Sequence, residues 1–169
     1  MVIFKKIAAT GKYHDDNAIP DLINYICRPD KTPSHIIGGY GVDLNDIANS
    51  MVAVSMLFGK YKKLRLHHFI ISFNPEDIYL QDMIPKIANE ICSYWADQFQ
   101  IVYALHEDTY NPHIHFVFNN VSYVDGHKCH FGKTEYRLTY EFIKLVLSGY
   151  YLYPVIAVKY IPTVNNPHE

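Results

Sequence analysis

Two runs with the β-branched and aromatic composition of strands, residues 101–106 and 113–119, follow each other after only six residues. A connection of that length can fold the first strand back beside the second. Side chains alternate between the two faces of a strand, so His113 and His115 are expected to stand side by side. The spacing therefore predicts a β-hairpin that carries a pair of histidines on one face.

A third histidine, His106, ends the first of these strands and is expected to lie beside the pair once the hairpin closes. Three neutral imidazoles that converge with one side open form a site for a divalent cation that can also bind a substrate oxygen. Asp108 follows closely enough to orient the ligands, and Asn119 shares the face of His113 and His115. We therefore predict a metal held by His106, His113 and His115, with Asp108 and Asn119 in supporting positions.

The ligand type bears on which metal is bound. Neutral imidazole favours Mn, Ni, Co or Zn over Mg, so we expect Mn²⁺ or Mg²⁺ as the working ion, with Zn²⁺, Ni²⁺ or Co²⁺ able to occupy the site. The chain has neither a Cys-x-x-Cys pair nor a His-Glu-x-x-His motif, which argues against a structural zinc finger and a zinc protease. Three merely structural histidines are the alternative, and the face shared by two of them favours the metal site.

Length and composition indicate one folded domain over residues 1–169. The chain is 49% hydrophobic and 19% charged, as is typical of a protein with a substantial core. Its three cysteines show no disulfide spacing, its first residues lack a signal-peptide pattern, and no apolar run approaches the length of a membrane span. These features predict a cytoplasmic protein without membrane insertion.

The net charge of −2 provides no overall basic surface for nucleic acid. Fifteen Tyr and nine Phe suit a core, although exposed tyrosines can also stack on unpaired bases. Any phosphate-binding surface must therefore be local. The candidate cations are Lys60, Lys62, Lys63, Arg65, Arg28, Lys31, Lys128 and Lys133.

The rest of the chain mixes strand and helix patterns. Lys5 and Lys6 interrupt the first strand, which is typical of an exposed sheet edge. The predicted elements are a strand over Val2–Ala9, a short helix that ends at Arg28-Pro29, a glycine-bearing loop over Ser34–Gly41, a helix over Leu44–Phe58, a strand over Leu64–Phe73, an amphipathic helix from Ile84 to Phe99, a helix over Glu135–Leu147 and a strand over Val155–Tyr160. This order predicts an α+β fold, with an antiparallel sheet centred on the histidine hairpin and flanking helices.

The histidine segment resembles a known family. It has an early histidine (His106), an aspartate two residues later (Asp108), and then Pro112-His113-x-His115 running into an apolar strand. This pattern is similar to that of the relaxase/mobilization nuclease family within the HUH endonuclease superfamily. The resemblance implies an HUH nuclease fold, with a ferredoxin-like or palm-like sheet, and an enzyme that cuts and rejoins single-stranded DNA through a tyrosine.

A second motif lies upstream, where residues 24–32 read Asn-Tyr-Ile-Cys-Arg-Pro-Asp-Lys-Thr. This segment resembles the first motif of the same family, whose tyrosine is the nucleophile, and Tyr25 is the matching position. The strand that begins His67-His68 and ends in Ser-Phe also looks like the family. The candidate catalytic residue is therefore Tyr25, and the candidate DNA contacts are Arg28, Lys31, His68 and Lys128.

The resemblance also implies a biological role. Such a relaxase would nick one strand at the transfer origin of a plasmid or mobile element and keep a 5′-phosphotyrosyl link during conjugative mobilization. Its partners would be single-stranded or hairpin DNA and the accessory and coupling proteins of mobilization. Many relaxases continue into further domains, so the chain is expected to be either a compact member or a shortened one.

Two alternatives remain open at the level of sequence. In a rolling-circle replication initiator the nucleophilic tyrosine follows the histidines, and Tyr140 lies at helical spacing from Tyr136 and Lys144 on a later helix. In a noncatalytic DNA-binding module the histidines would bind metal only for stability. The three hypotheses differ in the tyrosine that becomes linked to DNA. It is Tyr25 in a relaxase and Tyr140 in a replication initiator, and no tyrosine is linked in a noncatalytic module.

Overall fold

A computed structural model describes residues 1–7 and 11–157 of the chain. The strands are β1 (Val2–Lys6), β2 (Ile37–Tyr40), β3 (Leu66–Ser72), β4 (Ile101–His106), β5 (His113–Asn119) and β6 (Pro154–Ile156). The α-helices are α1 (Ala18–Ile26), α2 (Ile47–Leu57), α3 (Ile84–Cys92) and α4 (Lys133–Ser148), with 3₁₀ turns at Gly11–Tyr13 and Pro75–Met83.

The six strands form one sheet in the order β2-β4-β5-β3-β1-β6. Neighbouring strands are antiparallel except β1 and β6, which run parallel, so the sheet is mixed rather than purely antiparallel. The histidine-bearing strand β5 is central, between β4 and β3. The predicted α+β class is confirmed, and the architecture is consistent with an HUH nuclease fold.

The sheet is covered on both faces by separate cores, as the alternation of side chains along β5 requires. Ile114, Phe116 and Phe118 enter one core together with residues of α3 and α4. Val117 enters the other core together with residues of α1 and α2. Because His115 alternates in step with Val117, it lies on the face covered by α1 and α2.

The prediction that the first strand is a sheet edge is wrong. β1 pairs with β3 on one side, and its residues 2–4 pair with β6 on the other. Lys6 Nζ donates to Phe131 O at 2.9 Å and lies 4.3 Å from the centre of the Phe131 ring. A long lysine stem can cross apolar surface and keep its ammonium bonded, so the residue type did not identify the edge.

The predicted glycine-bearing loop is instead an edge strand, β2, paired with β4. Its glycines are there because neighbouring groups approach the backbone closely. A Cβ on Gly38 would lie 2.5 Å from Tyr103 Oη, and a Cβ on Gly39 would clash with Ile101 O. The composition therefore reflects packing against β4 rather than loop flexibility.

The remaining elements match the predictions within a few residues, except that the helix begun at Ile84 ends at Cys92. Residues 8–9 and 158–160 of the predicted first and last strands lie outside the described residues. No helix in the described part of the chain is long and apolar enough to cross a membrane.

Candidate metal centre

The β4–β5 hairpin brings the three predicted histidines together. His106 is directly opposite His113 in the strand register, and His115 is opposite Ala104. The ring centres are 4.1 Å apart for His106 and His115 and 4.9 Å apart for His113 and His115. One ring nitrogen from each histidine lies within 4.8 Å of the other two. This set of nitrogens can hold a metal ion.

Two of these nitrogens are buried and lack a hydrogen-bond partner, namely His106 Nδ1 and His115 Nε2. The opposite nitrogen of His106, Nε2, lies 2.9 Å from Ile26 O and donates to it. His113 Nδ1 lies 3.1 Å from Asn111 O, which leaves its Nε2 available. A buried polar atom without a partner is costly, and a bound cation would remove that cost. The donor set therefore fits a divalent metal.

His115 is oriented by a chain of buried hydrogen bonds. His115 Nδ1 lies 2.7 Å from His68 Nε2, and His68 Nδ1 lies 2.9 Å from Tyr13 Oη. For Nε2 of His115 to bind a metal, the proton must sit on Nδ1 and be donated to His68. His68 then carries its proton on Nδ1 and donates to Tyr13. The chain is therefore compatible with the tautomer that a metal ligand needs, and it holds the His115 ring in place.

The pKa values keep the imidazoles neutral. Burial, together with the neighbouring His68 and His106 rings, lowers the pKa of His115 to about 2. Burial also lowers the pKa of His106 below its usual value of 6.5. A neutral ring keeps the lone pair that a metal requires, so both ligands are ready at neutral pH.

Tyr25 lies beside this cluster although it comes from α1. Its ring centre is 5.6 Å from that of His106 and 5.8 Å from that of His115, edge-on in both cases. Its neighbour Ile26 supplies the carbonyl that holds His106, so one turn of helix fixes the ligand and the tyrosine together. Tyr25 is 42% exposed, which leaves it accessible to a large substrate.

A cavity of about 360 Å³ opens between α1 and the sheet next to these residues. Its lining includes Tyr13, Tyr25, His68 and His115, together with the apolar Leu22 and Ile70. Aromatic and apolar walls beside a polar cluster are typical of a ligand site.

Asp108 lies near the cluster but does not orient His106 by a hydrogen bond. Its Oδ1 is 4.0 Å from His106 Nδ1, and its Oδ2 accepts a hydrogen bond from Lys31 Nζ. That hydrogen bond is the main reason why the pKa of Asp108 is lowered. The Ile26 carbonyl, rather than Asp108, holds the His106 ring.

Asn119 does not lie beside the histidines, contrary to the sequence expectation. It shares their face, but it is four residues from His115, or about 13 Å along an extended strand. Its amide donates to Met51 O and Gln100 Oε1, and its oxygen accepts from Ser55. Asn119 therefore joins β5 to α2 and β4 as a buried structural residue.

The candidate DNA contacts have different surroundings. Arg28 pairs with Asp30, and Lys31 pairs with Asp108 while lying 5.4 Å from the centre of the Tyr25 ring. His68 is only 5% exposed and is bonded to two buried partners, so its first role is structural. Lys128 lies apart from these residues and donates to Lys62 O.

Tyr140 lies on the far side of the sheet. It belongs to α4, packs against the core that α3 and α4 form, and lies 6.0 Å from Phe4 between ring centres. Its hydroxyl donates to Pro154 O at 2.9 Å. The sheet therefore separates Tyr140 from the three histidines.

Tyr13 and the Ile26 carbonyl belong to the site although neither was predicted from the sequence. Tyr13 sits in a 3₁₀ turn without any local motif, and a backbone carbonyl has no sequence signal. The role of His68 could have been inferred from the alternation of side chains along β3. His68 pairs with Val117 of β5, so it lies on the same face of the sheet as His115. Tyr13 reaches His68 only because the 3₁₀ turn Gly11–Tyr13 packs against β3 in the folded protein.

Comparison with known proteins gives a consistent result. A family model described as "Relaxase: MobA/VirD2-like, nuclease domain" matches residues 25–150. The chain is 27% identical over 139 residues to the group II intron-interrupted relaxase LtrB of Lactococcus lactis subsp. cremoris, in strain MG1363 and in another sequence of that subspecies. The match covers 66% of this chain but 25% of each relative, so the chain spans about a quarter of their length. No solved structure matches significantly.

Proposed function

Because the chain belongs to the family of MobA/VirD2-like relaxase nuclease domains, we propose that it nicks single-stranded DNA at a transfer origin and becomes linked to it through Tyr25. The observation that carries this proposal is the position of Tyr25. Its ring centre lies within 6 Å of the ring centres of His106 and His115, each of which has a buried nitrogen without a hydrogen-bond partner. A nucleophile and a metal site must lie this close to act on the same phosphate.

The histidines would hold Mn²⁺ or Mg²⁺ through His106 Nδ1, His115 Nε2 and the available Nε2 of His113. Such a cation, when bound, neutralises charge that develops on the scissile phosphate. The protein's own contribution is to hold the three rings rigidly. The Ile26 carbonyl fixes His106, the Asn111 carbonyl fixes His113, and His68 fixes His115.

Tyr25 would attack the phosphorus in line with the departing 3′ oxygen. A bond forms between Tyr25 Oη and phosphorus, and the bond from phosphorus to the 3′ oxygen breaks. The phenol proton is transferred in net to the 3′ oxygen, so the products are a 5′-phosphotyrosyl link and a free 3′ hydroxyl. The number of phosphoester bonds is unchanged, so the strand can be rejoined without ATP.

Unpaired or hairpin DNA is the proposed substrate, because Tyr25 must reach the backbone and the flanking bases can then stack on aromatic side chains. The cavity beside Tyr25 offers aromatic walls for a base next to the scissile phosphate. In this proposal the protein acts in the cytoplasm, in conjugative mobilization, together with accessory and coupling proteins. Its low net charge predicts modest nonspecific affinity with a clear salt dependence.

The test is incubation with single-stranded oligonucleotides from the transfer origin of the encoding element, in Mn²⁺ or Mg²⁺. A covalent protein–DNA band is expected, and peptide mapping should place the DNA on Tyr25. DNA on another tyrosine would overturn the assignment of the nucleophile. Absence of an adduct on every cognate strand would favour the noncatalytic DNA-binding module instead.

A further inference from the structure

A basic patch lies at the end of the sheet away from His113. The loop before β3 and the segment after β5 meet there, as Asn120 N donates to Arg65 O at 3.0 Å. An isolated β-bridge between Val121 and Lys128 then brings Lys128 to the loop. The patch consists of Lys60, Lys62, Lys63, Arg65 and Lys128.

The loop is held in shape by its own backbone rather than by carboxylates. Lys128 Nζ donates to Lys62 O at 2.6 Å and to Leu64 O at 3.4 Å. Gly59 and Lys63 both have positive φ angles, of 63° and 59°, so the chain turns tightly twice. These constraints present the lysines in a defined arrangement.

The charge of the patch is largely uncompensated. Arg65 forms an ion pair with Asp16. Among residues 1–7 and 11–157, this is the ion pair that involves a cation of the patch. Lys62 and Lys63 are exposed. Burial lowers the pKa of Lys128, and the four other cations of the patch lower it further, as crowded like charges do. An anion would relieve this repulsion.

The arrangement differs from that of the cations beside the catalytic site. Arg28 and Lys31 each have a carboxylate partner, Asp30 and Asp108. In a chain of net charge −2, the patch therefore gathers several cations without a carboxylate partner, whereas Arg28 and Lys31 near the histidines are each paired. Phosphates of a nucleic-acid backbone are the anions that a row of lysines binds best.

The patch and the site are within reach of one strand of DNA. His115 and Val121 are six residues apart on or just after β5, or up to about 20 Å at the rise of a strand. One strand of B-form DNA advances about 3.4 Å along the helix axis per nucleotide, and an extended single strand advances further, so this span corresponds to at most about six phosphates. Asp16 connects the two regions, since it follows the cavity residue Asp15 and contacts Tyr61 and Arg65.

We propose that the basic patch binds the phosphate backbone of the DNA strand whose scissile phosphate lies at the histidines. This inference rests on the proposed function for the identity of its ligand. The patch anchors a part of the strand several nucleotides from the cut, and it contributes sequence-independent affinity.

The test uses the triple variant Lys60→Gln, Lys62→Gln and Lys63→Gln in the full chain. Lys128 is left in place because its ammonium bonds the loop. The matched control is Lys86→Gln, Arg137→Gln and Lys144→Gln, which removes the same charge from α3 and α4 on the other face. Binding of a labelled single-stranded oligonucleotide of arbitrary sequence is measured by fluorescence anisotropy over a range of salt concentrations.

The patch variant should bind more weakly than the control, and its slope of log affinity against log salt should fall by about 2, at about 0.7 per lost phosphate contact. Metal stoichiometry measured by calorimetry should be unchanged, which shows that the fold is intact. Equal slopes in the two triple variants would overturn the proposal. Because this assay involves no cleavage, its result is independent of whether Tyr25 forms an adduct.

Discussion

His68 Nε2 lies 2.7 Å from His115 Nδ1, so a histidine of β3 fixes the orientation of a candidate metal ligand on β5. Both residues are buried, at 5% and 2% exposure, and neither can be reoriented by solvent. Partners of this kind commonly matter for affinity almost as much as the ligands themselves.

His68→Ala should therefore weaken Mn²⁺ binding by roughly 10-fold to 100-fold, since His115 loses the acceptor for its Nδ1 proton. Isothermal titration calorimetry measures the affinity. His14→Ala removes an exposed histidine and serves as the control. An unchanged affinity in His68→Ala would show that the hydrogen bond only supports packing.

Replacing His113 and His115 together by Ala should abolish binding of the single metal ion, because two of the three nitrogens are lost. Metal at 100 times its dissociation constant should raise the unfolding free energy of the native protein by about 2.7 kcal/mol. Thermal unfolding with and without Mn²⁺ measures this difference. If the double variant were stabilised as much as the native protein, the site would lie elsewhere.

Tyr25→Phe should eliminate the covalent adduct and leave metal binding and stability nearly unchanged, since only one exposed hydroxyl is removed. The adduct is measured on denaturing gels with labelled oligonucleotide. Tyr140→Phe is the matched control and should keep the adduct, because that hydroxyl is bonded to Pro154 O behind the sheet. If Tyr140→Phe lost the adduct and Tyr25→Phe kept it, the nucleophile would follow the histidines in sequence, as in a replication initiator.

His67 should make the metal-free protein sensitive to acid. Burial lowers its pKa from 6.5 to about 4 in the folded state. Above pH 6.5 the ring is neutral in both states and contributes no pH dependence. Between pH 6.5 and 4 the unfolded chain binds a proton that the native state does not, so stability falls by about 1.4 kcal/mol per pH unit, to about 3 kcal/mol in all.

The measurement is urea unfolding of the metal-free protein at pH 7 and pH 4.5. The variant His67→Gln keeps a donor for Asn120 Oδ1, which lies 2.7 Å from His67 Nε2, and it does not titrate. Its stability should fall less on acidification than that of the native protein. A loss as large as in the native protein would assign the acid sensitivity to other groups.

The sequence by itself was sufficient for the hairpin and its faces. The period of two along residues 113–119 separates the histidine face from the Phe116 face, and this is a local property of a strand. The six-residue connection makes the pairing of His106 with His113 predictable. The motif resemblance likewise indicated the family before any contact was known.

Tertiary structure decided what depends on distant parts of the chain. Ile26 and His106 are 80 positions apart, and only the packing of α1 on the sheet brings Tyr25 to the histidines. The contact between Tyr13 and His68 likewise joins distant parts of the chain. The lysines of β1 suggested an edge strand, but in the folded protein β6 pairs beside β1. Neighbouring residues encode periodicity, whereas side-chain volume, hydrogen-bond satisfaction and strand pairing across the whole core determine which segments meet.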